Sequence, residues 1–210
     1  MPGSPPADLS KAEMMGAELA PQFARLQRAL AARPAALAER DEPFKEAAVA
    51  LVLRPAADEL ELLLMRRAAR EGDPWSGQIG LPGGRWDATD PSLEHTALRE
   101  TFEEVGIDLR VHGQVLGQLD ELRPRTPVLP PIIVRPFVCA LHADVRIVPN
   151  HEVAELRWVR LGELFHPETR VRTSVRVRDL QMKVEAYQLG DFTVWGMTER
   201  ILATFEGIWR

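Results

Sequence analysis

The stretch LPGGRWDATDPSLEHTALRETFEEVGI, residues 81–107, constrains this chain more than any other. Asp90 has the chemistry of a helix N-cap, Pro91 suits a first helical position, and Gly106 is placed to close the helix just past its end. These marks predict a helix over 91–105. Along it Leu93, Ala97, Leu98, Thr101, Phe102 and Val105 form a broad apolar arc at the roughly 100° per residue of an α-helix. Glu100, Glu103 and Glu104 lie together on the same wheel, and Glu104 points between Leu93 and Ala97 into the edge of that arc. Like charges four residues apart cost a helix about 0.2–0.5 kcal/mol per pair, and acids near its C-terminus oppose the helix dipole. A carboxylate at the rim of a buried face has to be neutralised, paired or bound to a metal. A divalent cation does this for several acids at once. Upstream, Pro82-Gly83-Gly84 allows a tight turn with exposed carbonyls, and an exposed carbonyl can join carboxylates around a hard cation.

The flanking pattern alternates strands with helices. Residues 46–54 and 59–66 read as consecutive strands around the turn PAAD, and strand candidates resume at 113–122, 132–141, 153–159 and 183–188. LGELF at 161–165 is a helical turn, Gly190-Asp191 a turn, and 196–207 a C-terminal helix. Ahead of them, residues 1–10 are rich in Pro, Ser and Gly and are expected to be disordered. From 11 to 39 the spacing of Phe23, Leu26 and Leu30 is helical, and Pro21 and Pro34 are expected to break it into short helices. This division predicts a flexible segment and helical arm over 1–40, serving packing or a homodimer contact, and one domain over 41–210. Strands on both sides of a central helix imply a layered α/β sandwich with a mixed sheet.

Composition narrows the chemistry. A net charge of −5 argues against a nucleic-acid partner, which usually calls for a basic face. The single cysteine, Cys139, excludes an intrachain disulfide and a cysteine-based zinc cluster, so a metal would sit on carboxylates, carbonyls or imidazoles. Oxygen ligands favour Mg²⁺ or Mn²⁺. His95, His112, His142 and His166 show no ligand spacing and are read as structural or exposed. The longest apolar run, AAVALVL at 47–53, is too short for a bilayer, and the first residues carry no signal-peptide pattern. A cytoplasmic protein without a membrane partner is the expectation.

The residues Gly84, Arg99, Glu100, Glu103, Glu104 and Gly106 resemble the Nudix box, G-x5-E-x7-R-E-U-x-E-E-x-G-U with U a bulky apolar residue. RETFEEVGI matches its right half, with Thr101 at the first U position. Gly84 to Arg99 is one residue longer than the standard box and the isolated acid is Asp90. That form, GGRWDATDPSLEHTALRE, resembles the coenzyme A pyrophosphatase branch of the Nudix hydrolases, as do SGQIGLPGG at 76–84 and VWGMTERIL at 194–202.

The resemblance implies a Nudix-type α/β/α sandwich and hydrolysis of a diphosphate linked to a nucleoside. It implies that Glu100, Glu103 and Glu104, with the Gly84 carbonyl, hold Mg²⁺ or Mn²⁺, and that Arg99 is structural, pairing with Asp90 or Glu103. The general base is left between Glu100 and a later acid, Glu152 or Glu155, with Glu152 placed first. Arg66, Arg67, Arg70, Arg123 and Arg125 are candidates for gripping substrate phosphates, because the planar guanidinium matches phosphate oxygens. Trp75 either stacks on an adenine or anchors its loop. Coenzyme A or an acyl derivative, cut to phosphopantetheine and 3′,5′-ADP, is the expected small-molecule substrate. ADP-ribose, nucleotide sugars and nucleoside triphosphates are the rivals, and a non-catalytic nucleotide sensor is the rival of another class. The intact RE-x2-EE core argues against the sensor, since binding alone does not need three converging acids.

Overall fold

The computed structural model describes residues 11–72, 75–124, 131–142, 144–177 and 180–210. The expected disorder of 1–10 and the side chain of Arg125 lie outside the described residues.

Strand β1 (Lys45–Ala56) turns through Ala57 and Asp58 into β2 (Glu59–Arg67). Ala57 takes the left-handed backbone conformation, φ 53°, that this two-residue connection needs. The hairpin pairs only near its turn, Leu53 opposite Leu62 to Ala56 opposite Glu59. Beyond it the two strands part, and the segment holding β3 (Ile79–Gly80) and β4 (Gly83–Arg85) enters the wedge. β3 pairs with Met65 and Arg66 of β2, and β4 with Ala47–Val49 of β1. The Ala50 N–H donates to the Pro82 carbonyl at 2.8 Å and fixes the turn between them. The glycine turn therefore sits inside a splayed sheet.

The sheet continues through β6 (Ile132–Leu141), which runs parallel to β1, to β5 (Gly113–Gln118), while β7 (Val153–Arg160) pairs antiparallel with β2. A parallel pair within antiparallel neighbours makes the sheet mixed. Its two faces follow the period-2 rule. Leu51, Leu53, Leu60, Leu62 and Leu64 face one core, shared with helix α1 (Lys11–Ala31) and helix α5 (Gly196–Trp209). Ala48, Ala50, Val52, Leu63 and Met65 face the other, under α2 (Leu93–Val105). The result is the expected α/β/α arrangement.

Several elements differ from expectation. α1 runs unbroken through Pro21. An interior proline costs about 3 kcal/mol, and burial of Phe23, Leu26 and Leu30 at about 1.5–3 kcal/mol each more than offsets it. Those three residues pack into the same core as β1 and β2. A one-turn helix α3 (Leu109–His112) precedes β5, which ends at Gln118, leaving Leu122 a single bridge to Val134. The expected turn at 161–165 is α4 (Leu161–Leu164). Residues 170–177, outside the expected strands, are β8 (Arg170–Val177), which joins β9 (Leu180–Leu189) and β10 (Phe192–Trp195) in a second, three-stranded sheet. No helix among the described residues is long and apolar enough to cross a membrane.

Candidate active site

Ser92, not Asp90, caps α2, its hydroxyl accepting the His95 N–H at 3.1 Å. The helix begins two residues later than expected because Ser92 has the extended backbone a cap requires, φ −160° and ψ 164°. This releases Asp90 for another task. Asp90 is buried, and its carboxylate accepts from Arg99 Nε and Nη2, both at 2.9 Å, from the Thr96 hydroxyl at 2.9 Å and from the Asp87 N–H at 3.3 Å. The Arg99 bonds hold its carboxyl down at about 2, against the cost of burial. The remaining arm of Arg99, Nη1, donates to Glu100 at 2.9 Å and Glu103 at 3.1 Å. One guanidinium thus links the loop before the helix to two of its acids. At the other end Gly106, φ 75°, donates to the Phe102 carbonyl and ends the helix. Thr101 takes the place of a bulky apolar residue by returning its hydroxyl to the Ala97 carbonyl at 2.7 Å.

Glu104 is the acid the helical wheel turned inward, and its side chain is 2% exposed. It accepts the Gly83 N–H at 2.8 Å, while Arg67 Nη1 stands 3.7 Å away. These do not compensate its desolvation. Burial pushes its carboxyl up to about 8, reinforced by the charges of Glu100 and Glu152. Burial also raises Glu100. Glu100 lies directly over the glycine turn: a Cβ on Gly84 would stand 2.4 Å from its carboxylate carbon, and one on Gly83 would stand 2.3 Å from the Ala48 carbonyl. Gly83, at φ 153° and against backbone atoms, is required by close approach, whereas a side chain at 84 would have to displace the Glu100 carboxylate. Glu103 is half exposed and turned to Arg99.

The loop after β6 is tied to this helix end, because Val148 N–H donates to the Val105 carbonyl and Asn150 N–H to the Glu104 carbonyl. That brings Glu152 to the site, where Arg70 pairs with it at 3.2 Å. Glu155 instead pairs with Arg66 at 3.1 Å and Arg157 at 2.9 Å.

A cavity of about 800 Å³ opens here. Arg67, Arg70, Trp75, Gly84, Glu100, Glu104 and Glu152 line it, so seven of the residues expected from the sequence converge. Glu103 and Arg66 are not among its lining residues. Arg123 does not line it either, for it is 7% exposed and bound by Asp41, Glu42 and the Glu39 carbonyl. The rest of the lining lies outside the residues the sequence singles out. Met182 and Val184 of β9, with Met197, Thr198 and Ile201 of α5, contribute to it, as do Arg85 and Arg200. Among the described residues no three acidic, histidine or cysteine side chains already stand as a set able to hold an ion. The donor chemistry still fits a divalent cation. Glu104 is a buried acid short of positive charge, Glu100 lies on the turn beside it, and Glu103 is one helical turn from Glu100.

Residues 44–179 match the model of the NUDIX domain, and the chain belongs to the Nudix family of hydrolases. It is 36% identical over 148 residues to a Nudix hydrolase, NudL, of Pectobacterium atrosepticum, covering 67% of this chain and 71% of that one. A protein of Schizosaccharomyces pombe is 38% identical over 118 residues, 54% of this chain and 36% of that protein, so the chain spans about a third of that relative's length. A MutT/nudix family protein from Enterococcus faecalis superposes with a TM-score of 0.56 at 20% identity, covering 96% of this chain and 74% of that one, which shows the fold.

Proposed function

We propose that this Nudix hydrolase cleaves the diphosphate of coenzyme A or an acyl-coenzyme A, giving phosphopantetheine or its acyl form and 3′,5′-ADP. The observation that carries this reading is the mixed lining of the cavity. It joins Glu100, Glu104 and Glu152 to an apolar wall that includes Met182, Val184, Met197 and Ile201. A diphosphate attached to a long, weakly polar arm matches both kinds of lining. A nucleoside triphosphate leaves the apolar wall against water, which disfavours it. The stretches SGQIGLPGG and VWGMTERIL support the same branch, and both contribute lining residues, Gln78 to Leu81 from the first and Trp195 to Thr198 from the second.

Residues 41–210 are the catalytic domain in this reading, with a helical arm ahead of it. Nudix hydrolases use divalent metal ions, and here Glu100, Glu103, Glu104 and the Gly84 carbonyl would hold Mg²⁺ or Mn²⁺. Such an ion lowers the pKa of water and neutralises the diphosphate. Glu152, held at the cavity by Arg70, takes the proton from the attacking water, with Glu100 the alternative base. The water oxygen bonds to one phosphorus, the bridging P–O bond breaks, and the bridging oxygen leaves with the other phosphate. Arg67 and Arg70 neutralise phosphate oxygens once substrate competes for their carboxylate partners. Trp75 supplies a flat apolar surface in the same cavity. Arg99 is a positioning residue, setting Glu100 and Glu103 through its anchor on Asp90.

The test is a substrate panel of coenzyme A, an acyl-coenzyme A, ADP-ribose, NADH, diadenosine polyphosphates and nucleoside triphosphates, with Mg²⁺ and with Mn²⁺. Coenzyme A or its thioester is expected to show the highest kcat/KM. A rate no better than that of ADP-ribose or a triphosphate overturns the substrate. Glu103→Gln, at a half-exposed position, is expected to lose nearly all turnover while staying folded. Undiminished hydrolysis removes Glu103 from the proposed ligand set.

A further inference from the structure

The acid-bearing cavity is only part of the groove between the two sheets. A second cavity of about 680 Å³ adjoins it, and Gly72, Gln78, Ile79, Val177 and Trp195 line both. None of the α2 acids reaches the second one. Its polar lining comes from Arg66, Ser76, Gln78, Arg176, Asp191 and Thr193.

The charges there fall into two groups. Arg66 bonds Glu155 at 3.1 Å and Asp191 at 2.7 Å, and Arg157 bonds the same two carboxylates at 2.9 and 2.7 Å. Both guanidinium groups also lie over the Phe192 ring, at 4.7 and 3.9 Å from its centroid. Two positive and two negative groups cancel, and all four are committed to fastening β2 and β7 against the second sheet. Arg176 is different. Along β8, Arg170 pairs with Glu199 and Arg172 with Glu185, each at 2.8 Å. Arg176 stands opposite Gln181 in the hairpin register and has no carboxylate partner among the described residues. Among the described residues it is the one positive charge of the second cavity that no carboxylate balances. Nearby, the Ser76 hydroxyl accepts the Arg70 N–H at 2.8 Å, and its own proton is not committed among the described residues.

We propose that this adjoining cavity is a phosphomonoester subsite, in which Arg176 grips a phosphate carried on the nucleoside half of the substrate, remote from the diphosphate. A guanidinium without a carboxylate partner binds phosphate without first breaking an ion pair, and its planar fork matches two phosphate oxygens. The Ser76 hydroxyl adds a second donor. In the reaction proposed above the group is the 3′-phosphate of coenzyme A, so the inference rests on that reading. Arg85 and Arg200 line the acid-bearing cavity instead.

The experiment compares kcat/KM for coenzyme A and 3′-dephospho-coenzyme A in the wild type, Arg176→Ala, Arg176→Glu and Arg176→Lys. Arg172→Ala, on the same strand but away from the cavity, is the control. Losing a charge-assisted hydrogen bond corresponds to about 10- to 100-fold. Arg176→Ala is therefore expected to cut the preference for coenzyme A over the dephospho form by that factor, Arg176→Glu to abolish it, and Arg176→Lys to keep part of it. Arg172→Ala is expected to keep all of it. A wild type with no preference, or an Arg176→Ala that lowers both substrates equally, overturns the subsite. Equilibrium binding of 3′,5′-ADP against 5′-AMP reads the same site without turnover, and the wild type is expected to favour the bisphosphate through Arg176. If coenzyme A is not hydrolysed but this binding preference is present and lost in Arg176→Ala, the substrate reading fails and the subsite stands. Equal binding of the two nucleotides overturns the subsite.

Discussion

Asp90→Asn tests the pair that anchors the acidic helix. Asp90 is nearly inaccessible, with a side chain 2% exposed, and it receives two bonds from Arg99 and one from Thr96. Its carboxyl titrates at about 2, below the ordinary 3.8, so the folded state favours its charged form. At about 1.4 kcal/mol per pH unit this amounts to about 2–3 kcal/mol at neutral pH. Removing one partner of a fully buried ion pair costs about 3–5 kcal/mol, and the lower figure fits better here. Arg99 keeps Glu100 and Glu103 and is 24% exposed. Asparagine also leaves an acceptor for Thr96. For a chain of this length the loss lowers Tm by about 5–10 °C. The sign with pH follows from the depressed pKa. Stability from Asp90 is fully present above 3.8 and is lost as pH falls through about 2. The gap between wild type and variant in urea melts should therefore be constant from pH 7 to 5 and about half as large at pH 3. A gap below about 0.5 kcal/mol at pH 7, or one that widens on acidification, refutes the reasoning.

Three further outcomes follow from the geometry. Gly84→Ala places a Cβ about where the Glu100 carboxylate lies, and kcat is expected to fall at least tenfold with little loss of fold; wild-type turnover would show that Glu100 can move aside freely. Glu104, raised to about 8 by burial, stabilises the metal-free protein below its ordinary 4.5, and this contribution is lost as pH rises through 8. Its proton also competes with a cation, so Mn²⁺ affinity by titration should climb from pH 6 to about 8 and then level; a flat profile would detach Glu104 from the metal. Arg123→Ala is expected to lower Tm by loosening residues 39–42 while leaving kcat/KM within about twofold, and a large kinetic loss would return Arg123 to substrate binding.

Legibility divides at the range of the interactions. The helix that carries the acids was readable because caps, glycine turns and helical periodicity act within a few residues, and so was the inward aim of Glu104. The cap lies two residues beyond Asp90, since Ser92 offers the same chemistry and only backbone dihedrals separate them. The arginines were harder. Arg66 meets Asp191, and Arg123 meets Asp41 and Glu42, across separations no local pattern encodes. Nor does any local pattern mark Arg176, which stands at a cavity wall with no carboxylate partner among the described residues. β8 is hard to tell from a solvated loop by sequence, because its alternation, RVRTSVRV, carries three arginines in eight residues.

By itself the chain determined where the acids stand relative to one another, since three glutamates within five helical residues share a face whatever surrounds them. It also determined the glycines they press against. Tertiary structure decided what those acids face. The splay of β1 from β2 brings the glycine turn under the helix, the loop after β6 adds Glu152, and the second sheet with α5 supplies the apolar wall. Each is set by burying surfaces far apart in sequence, and that free energy exists only once the layers meet.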